Sequence, residues 1–120
     1  MKQLEQTIQR NCINWYKRMF PDNYIRKNEQ VVKSGDPDIL ICHYGLFVAI
    51  EMKQVGKNPT PLQKLKLERI SASGGLVGVA HSLDEFKDII SKAERQTHHF
   101  ETEEGVAWET SLLLGGTSND

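Results

Sequence analysis

Apolar residues between Lys2 and Phe20 fall at Leu4, Ile8, Cys12, Trp15, Tyr16 and Met19. That spacing predicts a helix with one broad apolar stripe, halted by Pro21-Asp22-Asn23. Tyr24–Val32 reads as an extended, mostly exposed segment, and Ser34-Gly35-Asp36-Pro37 as a turn cluster. Two β-rich runs follow, Asp38–His43 and Leu46–Lys53, with Tyr44-Gly45 between them as the turn of a hairpin. After a loop at Gly56–Pro59, Thr60-Pro61-Leu62-Gln63 has the form of a capping box with proline at the first helical position. Its helix is expected to reach about Ser73 and stop at Gly74-Gly75. Leu76–His81 is a short apolar strand, and Ser82-Leu83-Asp84-Glu85 is a second capping box, opening a helix through Phe86, Ile89, Ile90 and Ala93. The order α-β-β-β-α-β-α predicts an α/β domain with a mixed sheet of about four strands flanked by helices. Beyond it, Gly105–Leu114 is expected to add a strand or a packing arm, and Gly115–Asp120 to be disordered.

Composition narrows the setting. A chain of 120 residues, 38% hydrophobic, suits one domain able to bury a core without staples. No apolar run approaches the ~18 residues of a membrane span. The opening Met1–Glu5 lacks the apolar stretch of a secretion signal, and Cys12 and Cys42 are too few for a disulfide framework. A cytoplasmic protein with reduced thiols is the expectation. The net charge of −1 hides an asymmetry: residues 1–93 hold 14 Lys/Arg against 10 Asp/Glu, and residues 94–120 hold one against six. The basic part, taken as the functional domain, could meet a polyanion; the acidic tail could not.

The hairpin holds the candidate chemistry. If His43 faces Leu46 across the turn, continuing the pairing sets Asp38 directly opposite Glu51. Opposed side chains share a face at roughly 4.5–5.5 Å between Cβ atoms, and two like charges there are destabilising. A shared proton, a basic partner or a bound cation must compensate. Lys53 lies on the same face as Glu51, because side chains alternate along a strand. Two carboxylates, with the Met52 carbonyl, would suit Mg²⁺ or Mn²⁺, and the lysine could orient an attacking water. Phosphodiester hydrolysis is the reaction this set fits. Singly, each part has an ordinary reading: Asp38 could end a turn, and Glu51-Met52-Lys53 could be a strand face with an ion pair.

Gly35-Asp36-Pro37-Asp38 followed by Glu51-Met52-Lys53 resembles the PD-(D/E)XK nuclease signature, and Thr60-Pro61-Leu62-Gln63 sharpens the likeness to the VRR-NUC family of virus-type replication-repair nucleases. The resemblance covers roughly residues 1–93. It implies a restriction-endonuclease-like core, similar in fold to archaeal Holliday-junction resolvases. It further implies Mg²⁺ or Mn²⁺ held by Asp38 and Glu51, Lys53 acting on the water, and Gln63 as the family's helical glutamine. Glu5 on the first helix matches a glutamate that often completes such sites. A homodimer acting on branched or structured DNA, in a phage or bacterial repair setting, is implied as well.

Several residues keep two readings. Glu5 could be a site residue or a charge favoured at a helix start. Gln63 could face the site or simply close its capping box on Thr60. Asp36 could face Lys53, although Pro37 favours a turn role. Lys33, Lys57, Lys64, Lys66 and Arg69 could contact phosphates or form a solvated surface. His43, His81, His98 and His99 have no zinc spacing with the cysteines. Against the endonuclease stand two rivals: a catalytically silent junction-binding or assembly module, and a retaining glycosidase, which the lysine and the small size disfavour.

Overall fold

A computed structural model describes residues 2–29 and 35–98, with two short strands at 101–102 and 105–106. Helix α1 (Lys2–Met19) leads to strand β1 (Tyr24–Lys27), then β2 (Ile39–His43), β3 (Leu46–Met52), helix α2 (Pro61–Ala72), β4 (Leu76–Ala80) and helix α3 (Leu83–Thr97). The four strands form one mixed sheet in the order β1-β2-β3-β4, antiparallel except for the parallel β3–β4 pair that α2 connects. A two-residue turn closes β2 on β3. Tyr44 and Gly45 both have positive φ, 48° and 92°, which matches the type I′ twist of tight hairpins and is unusual for a tyrosine. The resulting register, His43 with Leu46 through to Ile39 with Ile50, is the expected one.

The first strand is shorter than its sequence suggests. Among the described residues, Tyr24–Lys27 pairs with β2, and Asn28 prolongs the contact with one backbone hydrogen bond from its N–H to the Asp38 carbonyl, at 2.7 Å. The rest of the expected segment, from residue 30, lies outside the described residues. Helix α3 runs to Thr97, past the point where its apolar periodicity ends. Pairing of Glu101–Thr102 with Gly105–Val106 makes a small separate ribbon of β5 and β6. The expected arm beyond it and the Leu112–Leu114 run are outside the described residues.

Alternation sorts the strands into two faces. Ile39, Ile41, Val48, Ile50 and Met52 point to one side, where Cys12, Tyr16 and Phe20 of α1 and Phe86, Ile89, Ile90 and Ala93 of α3 complete the core. His43 is fully buried there in a satisfied chain: Asn23 Nδ2 donates to Tyr16 Oη (3.2 Å), the phenol lies 2.6 Å from His43 Nδ1, and His43 Nε2 lies 3.3 Å from Glu94 Oε1. A neutral ring fills both roles, accepting from the phenol and donating to the carboxylate. Helix α2 lies against the other face, with only Leu67 buried.

Candidate active site

The register places Asp38, one residue before the β2 ladder begins, opposite Glu51 on the α2 side of the sheet. Three contacts fix Asp38. Its Oδ2 accepts the Met52 N–H at 2.8 Å, its carbonyl accepts the Asn28 N–H, and Asn28 Nδ2 donates to the Pro37 carbonyl at 3.1 Å. Met52 therefore meets Asp38 through its amide, while its side chain is buried in the core. Asn28 clamps the Pro-Asp pair, a role that sequence reading missed; its only sequence signal is a polar amide at the end of an exposed strand.

Glu51 is almost wholly buried, at 2% exposure. Loss of hydration raises its pKa, and the neighbouring Asp38 charge adds to the effect, to about 8; Lys53 pulls the other way. Asp38 is raised as well, chiefly by burial, with the Met52 N–H, a hydrogen bond from Glu51 and the Lys53 and Lys27 charges opposing. Both shifts run toward the protonated form, so the two carboxyls disfavour being ionised together. Lys53 Nζ lies 4.0 Å from Glu51 Oε2, and its backbone N–H donates to the Ala80 carbonyl, tying the residue to the end of β4.

Gln63 settles both of its readings at once. Its Oε1 accepts the Thr60 N–H at 2.8 Å while Thr60 Oγ1 accepts the Gln63 N–H at 3.2 Å, so the capping box is closed. The other arm of the amide, Nε2, then has to face the sheet, where it donates to Glu51 Oε2 at 2.8 Å. The cap thus fixes which end of the amide meets the carboxylate.

Other candidates are placed differently. Glu5 on α1 adds a smaller electrostatic push on Glu51. Asp36 pairs with Lys66 of α2 at 3.2 Å. Gly35 makes that approach possible: its φ is +78°, and a Cβ there would lie 2.6 Å from Leu62 Cγ. Lys33 is outside the described residues. The second capping box is incomplete: Ser82 caps α3, but the Glu85 carboxylate bypasses the cap amide and takes the His81 N–H and ring instead. Among the described residues, no group of three or more His, Cys, Asp and Glu gathers as a metal cluster.

One atom stands out chemically. Glu51 Oε1 is buried without a hydrogen-bond partner, an uncompensated acceptor beside a second carboxylate. With Glu51 ionised, a hard divalent cation fits this all-oxygen pair, and the orphaned oxygen is where such an ion would be expected to bind.

Comparison with known proteins agrees with the geometry. No family model matches the sequence, and no curated protein matches it. Solved structures do resemble it, two of them as follows. A protein described as "VRR_NUC domain protein" shares 26% identity with a TM-score of 0.63, over 76% of this chain and 88% of that one. Another, "VRR_NUC domain", shares 25% identity with a TM-score of 0.62, over 72% of this chain and 94% of that one.

Proposed function

The chain belongs to the VRR-NUC nuclease family, with its restriction-endonuclease-like fold, and on that footing we propose that it is a divalent-metal-dependent endonuclease of branched or structured DNA. The observation that carries this reading is the opposed Asp38–Glu51 pair, with one oxygen of Glu51 left unpartnered in a buried setting. Asp38 and Glu51 would hold Mg²⁺ or Mn²⁺, with the Met52 carbonyl as a further oxygen donor at the same strand end. The bound ion would supply an activated water and neutralise charge growing on the phosphoryl oxygens.

The chain's own residues do the rest. Met52 and Asn28 hold Asp38 in place, and Gln63 steadies Glu51 through Oε2, leaving Oε1 free. Lys53, beside Glu51, orients the nucleophile and offsets negative charge in the transition state. Glu5, whose charge reaches Glu51 from α1, would be a further carboxylate of the site.

A homodimer is part of the proposal, since cutting both strands at a junction takes two sites. What supports it is the half of the α2-side face that the helix leaves open. Tyr24, Cys42 and Phe47 form one cross-strand row there, and Leu62 and Leu65 of α2 are also exposed. Light scattering on the intact protein and on Phe47→Lys tests this; a monomer in both would remove the dimer.

The deciding experiment incubates linear, splayed, flapped and four-way DNAs with Mg²⁺, Mn²⁺ or EDTA. Metal-dependent cutting that prefers the branched forms supports the reading. Tight junction binding without cutting in either metal would replace it with a silent binding module.

A further inference from the structure

His81, at the end of β4, stands apart from the proposed site but touches the loop that joins its parts. That loop, residues 54–60, begins just after Lys53 and ends at Thr60, whose cap orients Gln63. His81 Nε2 lies 2.9 Å from the Lys57 carbonyl in the middle of the loop. Its Nδ1 lies 2.9 Å from Glu85 Oε1 on α3, and the same oxygen accepts the His81 backbone N–H at 2.7 Å.

Both ring nitrogens therefore face groups that only accept. A neutral imidazole has one N–H and can satisfy one of them; making both bonds requires the imidazolium. His43 is the opposite case, with a phenol on one side that can donate. Glu85 faces His81 from α3; the loop offers the Lys57 carbonyl and carries the Lys57 ammonium; β3 meets the end of β4 through the Lys53 N–H on Ala80. Their net effect raises the His81 pKa, first through the Lys57 carbonyl and then through Glu85.

We propose that doubly protonated His81 is a positioning residue, a clasp that ties the β3–α2 loop to α3 and so sets Lys53 and Gln63 relative to Glu51. On deprotonation the remaining proton stays on Nδ1, held by the stronger carboxylate acceptor, and the Lys57 carbonyl is released. The loop then loosens between its two functional ends. The functional part of this inference rests on the nuclease reading; the clasp does not.

The test uses the intact chain. Long-range ¹H–¹⁵N spectra should show His81 with both nitrogens protonated below its titration, which should lie above that of an ordinary histidine. Amide exchange in residues 54–60 should be slow below that titration and fast above it. His81→Gln should lose this protection at every pH and shift the Gln63 side-chain amide resonances. Glu85→Gln, which removes the carboxylate charge but keeps an oxygen acceptor, should lower the His81 titration and with it the pH at which loop protection is lost. In cleavage assays, His81→Gln should lower kcat about tenfold with KM unchanged. A ring with one N–H and an ordinary titration, or unchanged loop exchange in His81→Gln, would overturn the clasp. Unchanged kcat with a loosened loop would overturn the positioning role. If the wild-type protein cuts no DNA while the spectra behave as stated, the nuclease reading falls and the clasp stands.

Discussion

Alternate residues of β2 and β3 build two faces with opposite demands. Ile39, Ile41, Val48, Ile50 and Met52 fill the side covered by α1 and α3, where the buried polar groups of Tyr16 and His43 are paired. Their immediate neighbours Asp38 and Glu51 occupy the α2 side, where two acids meet and one buried oxygen lacks a partner. Burying the two carboxylates together carries a desolvation and repulsion cost, whereas burying the isoleucines is a gain. The same strands thus carry the stability on one face and a local cost on the other. That division is what a reaction site held in place by its scaffold requires.

The sharpest way to break this contrast is to mutate one face at a time. Asp38→Ala and Glu51→Gln should each reduce Mg²⁺-dependent cleavage by more than about a hundredfold while leaving circular dichroism and cooperative melting intact. Equal cleavage by either variant would remove the assignment of that face to catalysis. On the other side, Ile50→Ala should cost about 2–5 kcal/mol in denaturant titrations. Cleavage per folded molecule should change little.

The acid pair also gives a pH signature. Folded Glu51 keeps its proton to about pH 8, against an ordinary value of 4.5 once the chain unfolds. The folded state therefore binds more protons across that window, and the metal-free protein should lose stability as pH rises from about 4.5 to about 8. Denaturant midpoints at stepped pH should show the decline in wild type and a flatter line in Glu51→Gln. Added Mg²⁺, which favours the ionised form, should stabilise more as pH rises. A smaller effect is expected from Thr60→Ala, which removes the side-chain half of the α2 cap and costs about 0.5–2 kcal/mol. Because that cap steers Gln63, cleavage should fall too, by less than in the carboxylate variants.

Local pattern made most of this arrangement readable beforehand. The two-residue turn at Tyr44-Gly45 set the register, and with it the meeting of Asp38 and Glu51, because pairing in a tight hairpin leaves no freedom to slip. What escaped depended on contacts distant in sequence. Nothing local says that Asn28 grips Pro37 and Asp38, or that Glu85 passes over its own helix cap to reach His81. The two readings of Gln63 looked exclusive because a capping box is usually counted as one bond per side chain. An amide has two ends, and the structure uses both.

Helix α3 carries a practical lesson for anyone seeking a minimal unit. Its apolar rhythm fades after Ala93, yet Glu94 completes the buried Asn23–Tyr16–His43 chain and Thr97 bonds back to the Ala93 carbonyl. Trimming at the last apolar residue would strip the imidazole of its terminal acceptor and fray the helix beneath it. The shortest version worth making keeps everything through Thr97.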